Sequence, residues 1–236
     1  TQHLKDILKI TRCVCYKCSK LLVNKNDHKH TLKWSPSERW AYVSKLAAKV
    51  RRCGDLTEDG CGCKQPDKIK VEEIATVYAI WEKMKTDTDD EKISVRLTPE
   101  LLLKSFKRIS DEDVNFMGFN PIWSRPDWMI CQVLPVPPPQ VRPSVKHDAQ
   151  QRSEDDLTHI YSNIIKTNND LKEKIHNDAA SNVIDSLTRL LQYFIAMISN
   201  NKTRGAAPMA QRSGRAYQCI FSRINTKTGR IRGNLM

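Results

Sequence analysis

The strongest pattern of hydrophobic positions lies in the last third of the chain and predicts a pair of helices. Residues at alternating spacings of four and three form a seam that is apolar except for one asparagine: Leu157, Tyr161, Ile164, Asn168, Leu171 and Ile175. After a polar turn near Asn177 and Asp178, the pattern repeats with Val183, Leu187, Leu190, Phe194 and Met197. This predicts an antiparallel helical hairpin with a seam like that of a coiled coil. Residues 168–182 are nearly all polar, which favours a tip that projects into solvent over a helix pair packed into a core.

Shorter helices earlier in the chain are predicted by their N-terminal caps. Ser35-Pro36-Ser37-Glu38 combines a capping serine, a proline at the first helical position and the glutamate of a capping box. This helix is expected to run to about Arg51. Thr98-Pro99-Glu100 begins another helix, and Ser110 begins a short one that stops near Gly118. Between these helices, the runs KIKVEEI, TVYAIW and ISVRL predict two or three antiparallel strands, so the expected fold class is α+β.

Proline dominates the stretch from Pro121 to Pro143, which carries seven of the eleven prolines. The run Trp-Met-Ile-Cys-Gln-Val-Leu predicts a short buried strand or extended segment. The following Pro-Val-Pro-Pro-Pro must be polyproline-like, because each proline fixes its own φ and moves the preceding residue out of the α region. The alternative is a proline-rich linker or an SH3 ligand. Against that alternative, we expect four flanking apolar side chains to be buried: Trp123, Trp128, Met129 and Ile130.

The chain is strongly basic, with a formal charge of +12 and a pI of about 9.4. This charge favours a polyanionic partner, with nucleic acid the first candidate and an acidic membrane surface the second. The longest apolar runs are far shorter than the roughly 20 residues of a membrane span, and no secretory leader is expected. From Lys202 onward there is no Asp or Glu, and glycines recur. This tail is therefore expected to be loop-like and to contact phosphates.

Eight cysteines in such a basic chain favour a metal site over disulfides. The predicted zinc ligands are two pairs separated by one helix: Cys15, Cys18, Cys53 and Cys61. Four thiolates would close the coordination sphere and leave no open position for catalysis. Cys63 is the main rival of Cys61, and Cys13 is the other spare thiol. A redox Cys-x-x-Cys lacks the surrounding βαβ pattern, and His28 and His30 lie in a polar loop that is not typical of ligands.

Several long motifs resemble the largest subunit of multisubunit DNA-dependent RNA polymerases of the eukaryotic, archaeal and large-DNA-virus type. In chain order they are LTPE, FKRISDED, MGFNP, RPDWMICQVLPVPPPQVRPSV, QRSEDDLT and RIRGNLM. The resemblance covers nearly the whole chain and is weakest over about residues 65–95. It also favours Cys61 as the ligand, because the family pattern GCG-x-x-QP matches residues 60–66. Ser153, where the family commonly has glycine, and the short loop between Cys53 and Cys61 indicate a divergent member.

The resemblance implies the zinc-stabilised clamp of the polymerase, with a projecting helical hairpin and a small antiparallel sheet. It implies five segments along the chain. They are a zinc-binding part (1–66), a mixed strand and helix core that ends in the proline-rich segment (67–140), a lid-like loop (141–156), the clamp coiled coil (157–200), and a basic rudder-like loop with the start of a switch segment (201–236).

The implied function is to close over DNA, hold the RNA–DNA hybrid and dock transcription factors at the hairpin tip, beside the other polymerase subunits. The nucleic-acid contacts implied for the lid are Arg142, Lys146 and Arg152. Those implied for the rudder are Arg204, Arg212, Arg215, Arg223, Lys227, Arg230 and Arg232. The parent enzyme is a nucleotidyltransferase that uses magnesium, but its catalytic motif NADFDGD does not occur here. We therefore expect structural zinc alone in this chain, and no polymerisation by the chain by itself.

Two other functions were weighed. A free-standing zinc-containing transcription factor that binds nucleic acid would explain the charge and the cysteines, but not the ordered series of polymerase motifs. A thiol enzyme would need a base beside Cys13 or Cys63, and no His or Lys is evidently placed for that role. As a polymerase subunit the chain is expected in the nucleus, or in a cytoplasmic virus factory or virion if the parent is viral.

Overall fold

The computed structural model describes most of the chain, namely residues 3–57, 59–72, 74, 76–82, 93–147, 152–203 and 205–236. The chain divides into a first unit, Thr1–Val133, and a second unit, Leu134–Met236. Helices occur together with small antiparallel sheets, which confirms the predicted α+β class. Within the described residues, no helix combines the length and the apolar character that crossing a lipid bilayer requires.

Four helices, three strands and two short 3-10 helices make up the described part of the first unit. In chain order they are α1 (Leu4–Cys13), a 3-10 helix (Lys29–Lys33), α2 (Pro36–Ala47), β1 (Lys68–Glu72), β2 (Thr76–Trp81), β3 (Ile93–Leu97), α3 (Pro99–Lys107), α4 (Asp111–Phe116) and a second 3-10 helix (Pro126–Met129).

The predicted helix caps are present in the first unit. The Ser35 side chain accepts a hydrogen bond from the Glu38 N–H, and the Glu38 carboxylate accepts one from the Ser35 N–H, which completes the capping box. Thr98 and Ser110 cap α3 and α4 in the same way. Helix α2 ends at Ala47, four residues before the expected end at Arg51.

The three strands form an antiparallel sheet in the order β1-β2-β3. Ile69 lies opposite Ala79, and Val77 lies opposite Leu97, so these four buried side chains share one face. That face packs with Leu102 of α3 and with apolar residues of α1. A second and larger core joins α1, α2, α3 and α4 through Ile10, Val43, Phe106 and Val114, and it also includes Cys15 and Cys53.

The expected burial of the proline-rich stretch is wrong at two tryptophans. Trp123 is 77% exposed and Trp128 is 58% exposed. Trp128 lies in the 3-10 helix Pro126–Met129 instead of a strand. Residues three apart share a side of a 3-10 helix, so Pro126 and Met129 face the protein while Trp128 faces solvent. Met129 and Ile130 are half-buried against the cores, as expected.

The second unit contains a short 3-10 helix, a two-stranded hairpin and a long helical hairpin. The elements are the 3-10 helix Pro139–Val141, β4 (Val145–Lys146), β5 (Arg152–Ser153), α5 (Asp156–His176), α6 (Ser181–Ser199), α7 (Ile220–Asn225) and a last helical turn, Ile231–Leu235. Residues 141–156, expected as an exposed loop, therefore contain paired strands. The basic tail, expected to be loop-like, contains α7 and the last turn.

Helices α5 and α6 pack against each other and are joined by a turn in which Asp178 has a φ of 47°. The first turns of α5 and the end of α6 supply the buried side chains Leu157, Ile160, Ile164, Met197 and Ile198. Burial decreases toward the turn, and residues 172–178 are all exposed. The helical hairpin and its exposed polar tip thus agree with the hydrophobic pattern.

The capping box gives a direct test of the local origin of α2. Replacement Ser35→Ala removes the cap acceptor and should lower the free energy of unfolding by about 1 kcal/mol. Urea denaturation followed by circular dichroism measures this change. The matched control is Ser37→Ala, two residues further on, whose exposed side chain makes no hydrogen bond within the described residues. An equal effect of the two replacements would show that the cap is not the cause.

Candidate metal centre and basic surface

Four cysteine side chains meet in the first unit. The sulfurs of Cys15, Cys18, Cys53 and Cys61 all lie within 4.8 Å of one another. The Cys15 and Cys61 sulfurs are 3.5 Å apart, and the Cys18 and Cys53 sulfurs are 3.7 Å apart. A zinc ion with Zn–S bonds of about 2.3 Å in a tetrahedral site separates its sulfurs by about 3.8 Å. The four residues therefore fit a tetrahedral metal ion such as zinc without rearrangement.

The first pair of cysteines lies on a tight turn directly after α1. The Cys15 N–H donates to the Lys20 carbonyl at 2.8 Å, and the Ser19 N–H donates to the Cys15 carbonyl at 2.9 Å. Ser19 adopts a φ of 63°, which reverses the chain after Cys18. Its hydroxyl lies 2.9 Å from that of Ser105, so the turn is tied to α3.

The second pair lies on a turn that requires glycine. The Gly62 N–H donates to the Cys53 carbonyl at 3.0 Å, and Gly62 has a φ of 68°, which favours a residue without a Cβ. A Cβ on Gly60 would lie 2.1 Å from the Gly54 Cα, so no side chain fits there. The GCG sequence around Cys61 is thus the local reason that its sulfur reaches the cluster.

The spare thiols point elsewhere. Cys63 lies 3.6 Å from the Lys64 carbonyl through its sulfur and is not a member of the four-sulfur group. Cys13 is fully buried, and burial raises the pKa of its thiol to about 12. His28 and His30 pack edge-on against Tyr42. Within the described residues, no three-ligand group includes either histidine.

The sulfurs differ in how easily they ionise. Burial opposes ionisation of Cys15, but the N–H groups of Cys18 and Lys17 and the Gln65 amide outweigh it and lower the pKa of the Cys15 thiol to about 7. Burial and the neighbouring Cys18 and Cys15 raise the pKa of Cys53 to about 12. One thiolate in the cluster therefore disfavours the next. A divalent cation removes this conflict, because thiolates are its ligands.

Gln65 belongs to this site, although the sequence pattern gave it no role. Its buried amide nitrogen donates to the Cys15 sulfur at 3.3 Å and to the Cys63 carbonyl at 2.8 Å. Its oxygen accepts from the Tyr16 N–H at 2.9 Å. One side chain thus links the two cysteine turns and supports the Cys15 sulfur. The only sequence signal was the Gln-Pro that follows the second cysteine cluster.

The ten basic residues expected to contact nucleic acid fall into three groups. Arg204 lies outside the described residues. Six are exposed, namely Lys146, Arg152, Arg212, Lys227, Arg230 and Arg232. The other three bond to the protein itself. Arg142 donates to the Pro137 carbonyl at 3.0 Å, Arg215 donates to Asp156 at 2.9 Å, and Arg223 donates to Asp155 at 2.6 Å.

Two of the exposed cations lie directly opposite each other. Lys146 on β4 pairs with Arg152 on β5 in the register of the short hairpin. Like charges at opposed positions of an antiparallel pair repel and destabilise it. A bound polyanion offsets this repulsion, so the hairpin has the electrostatics of a phosphate-binding element.

Metal content tests the four-cysteine site. We expect about one zinc ion per chain, and Cys18→Ser should reduce it to near zero, because a closed site needs all four ligands. Elemental analysis after dialysis against a weak chelator gives the ratio. Cys63→Ser is the matched control and should keep the ion. Loss of zinc in Cys63→Ser with retention in Cys18→Ser would assign the site to the wrong cysteines.

Gln65 can be tested by its effect on affinity for the ion. Gln65→Leu keeps the volume but removes the hydrogen bonds to the Cys15 sulfur and to Tyr16. Because residues behind metal ligands tune affinity, zinc binding should weaken by about 10- to 100-fold. Competition with a chromophoric chelator measures this change. Gln132→Leu, at an exposed position, is the control, and equal affinities of the two variants would exclude the proposed support.

Comparison with known protein families gives one match over almost the whole chain. The family described as RNA polymerase Rpb1, domain 1, matches residues 2–235. The match includes the cysteine cluster, the helical hairpin and the basic tail. The chain therefore belongs to the RNA polymerase Rpb1 domain 1 family and is part of the largest subunit of a multisubunit RNA polymerase.

Proposed function

We propose that this chain is the clamp-core region of the polymerase largest subunit, which closes over DNA and holds the RNA–DNA hybrid. The observation that carries this proposal is the family match over residues 2–235, joined to a four-cysteine site and a basic surface. The proposed partners are the DNA template, the hybrid, the other subunits and transcription factors. The corresponding location is the nucleus, or a virus factory or virion for a viral enzyme.

A structural zinc ion is the proposed cofactor, held by Cys15, Cys18, Cys53 and Cys61. Four thiolates fill a tetrahedral coordination sphere, so no position is left for a substrate or water. The supporting observation is that Cys15 and Cys53 lie in the main core of the first unit. Metal binding and folding of this unit would therefore be coupled.

The proposed nucleic-acid contacts are the exposed cations of the second unit. Lys146 and Arg152 reinforce each other across the β4–β5 hairpin, and Arg212 is exposed near Gly214 in a tight turn. Contacts from such side chains to phosphates supply affinity without reading the base sequence. This suits an element that must hold any transcribed sequence.

The tip of the α5–α6 hairpin is the proposed dock for transcription factors. Residues 172–178 are exposed, and Ile175 remains 54% exposed among polar neighbours. An apolar side chain with a polar surround is typical of a protein contact. We assign no catalytic residue to this chain and attribute the magnesium-dependent nucleotidyl transfer to the rest of the enzyme.

The dependence of binding on salt tests the nucleic-acid role. For the zinc-loaded chain and a short RNA–DNA hybrid duplex, the double variant Lys146→Gln with Arg152→Gln should lower the slope of log K against log salt. Each lost phosphate contact reduces the slope by about 0.7–0.9, so the expected loss is about 1.4–1.8. Fluorescence anisotropy at several salt concentrations gives the slope.

The control must change the net charge by the same amount. Lys33→Gln with Lys45→Gln removes two exposed lysines of the first unit and should leave the slope nearly unchanged. If both double variants lower the slope equally, binding reflects net charge alone, and the proposed contacts at the hairpin are wrong.

A further inference from the structure

The first turn of α5 holds the basic tail through buried carboxylates. Asp156 is buried and accepts three hydrogen bonds from one segment of the tail. The donors are the Gln211 side-chain amide at 3.1 Å, the Arg215 guanidinium at 2.9 Å and the Gln218 N–H at 2.9 Å. A buried carboxylate with three donors is well satisfied, and each donor is fixed in turn.

The preceding residue makes a second link to the tail. Asp155 caps α5 through the Leu157 N–H and also accepts from the Arg223 guanidinium at 2.6 Å. Arg223 donates further to the Val141 carbonyl at 3.2 Å. The two adjacent acids are thus both N-terminal residues of a helix and partners of the acid-free tail.

A buried amide closes the base of the same segment. Asn201 donates to the Met209 carbonyl at 2.8 Å and to the Tyr217 carbonyl at 3.0 Å, and it accepts from the Met209 N–H at 2.8 Å. The Tyr217 N–H also donates to the Met209 carbonyl at 2.9 Å. Both ends of the loop between residues 209 and 217 are therefore held together by one side chain.

Between these ends the chain forms a tight turn. The Gln211 N–H donates to the Arg215 carbonyl at 2.8 Å, and Gly214 adopts a φ of 82°. Ala210 and Ala216 pair as an isolated bridge below the turn. Arg212 lies on this turn, is exposed, and has no partner among the described residues.

We propose that Asp156 and Asn201 are positioning residues that hold the turn Gln211–Arg215 and thereby present Arg212 to a phosphate of the bound nucleic acid. Arg215 and Arg223 then serve as internal counter-charges to Asp156 and Asp155, and are not phosphate contacts. This revises the sequence-based expectation for both arginines. The phosphate ligand of Arg212 rests on the proposed function, whereas the anchoring of the turn does not.

The physical argument is one of preorganisation. The tail has no acid of its own, so repulsion among its cations would favour an open, variable loop. Two carboxylates outside the tail neutralise Arg215 and Arg223 and fix the backbone around them. A cation held in one arrangement loses less entropy when it binds a phosphate than a cation on a loose loop.

Amide hydrogen exchange on the zinc-loaded 236-residue chain tests the anchoring without any ligand. Asp156→Asn removes the charge and should reduce protection of the Gln218 amide by about tenfold or more, because a charge-assisted hydrogen bond is lost. Asp170→Asn, an exposed acid on the same helix, is the matched control. Arg215→Gln leaves the buried carboxylate in place and should produce a smaller loss, which keeps the test valid if Asp156→Asn does not fold.

Salt-dependent binding to the short RNA–DNA hybrid tests the roles of the arginines. Arg212→Gln should lower the slope by about 0.7–0.9, whereas Arg215→Gln should leave it nearly unchanged. Asp156→Asn should raise the slope, because Arg215 becomes free to reach a phosphate. A mere loss of structure would not produce such an increase.

The outcomes separate the two ideas. Unchanged protection of Gln218 in both Asp156→Asn and Arg215→Gln would overturn the anchoring role, whether or not the chain binds nucleic acid. An equal fall in slope for Arg215→Gln and Arg212→Gln would make Arg215 a phosphate contact and overturn the inference. Absence of hybrid binding by the unaltered chain would refute the proposed function and the role of Arg212, while the exchange data still decide the anchoring.

Discussion

The first unit depends on one electrostatic constraint, which is that four cysteine sulfurs share a space less than 5 Å across. Protonated thiols would place four weak donors there, and several thiolates would repel one another. The opposite pKa changes of Cys15 and Cys53 express this conflict. A divalent cation resolves it and joins two turns that are far apart in sequence. Since two of the sulfurs also lie in the core with Phe106 and Val43, the metal site and the core stabilise each other.

The second unit solves the opposite problem, which is an excess of positive charge. It uses few acids and places them where the tail begins its return to the helical hairpin. Asp155 and Asp156 each bond an arginine, and Asn201 satisfies backbone groups that no strand would pair. The remaining cations stay exposed. The unit therefore separates arginines that build the protein from basic side chains that remain available to a partner.

The sequence predicted the features that depend on short-range spacing. The capping box at Ser35, the helical hairpin and the four cysteines all follow from residue types a few positions apart. The roles of Gln65 and Asp156 could not be predicted in this way, because their partners lie 50 and 59 residues away. The exposure of Trp128 was missed for a different reason. Its sequence context suggests a strand, and the face it presents depends on a 3-10 turn that begins at Pro126.

The four cysteines are unequal in one further respect, since Cys15 and Cys53 are buried whereas Cys61 is exposed. The metal centre is therefore one-sided. A competing chelator or an oxidant would meet the Cys61 sulfur first, and the glycine-bounded loop that carries it can swing away without disturbing the core. Departure of the ion would begin at this ligand, so the lifetime of the complex is governed by one surface loop, even though its affinity depends on all four sulfurs.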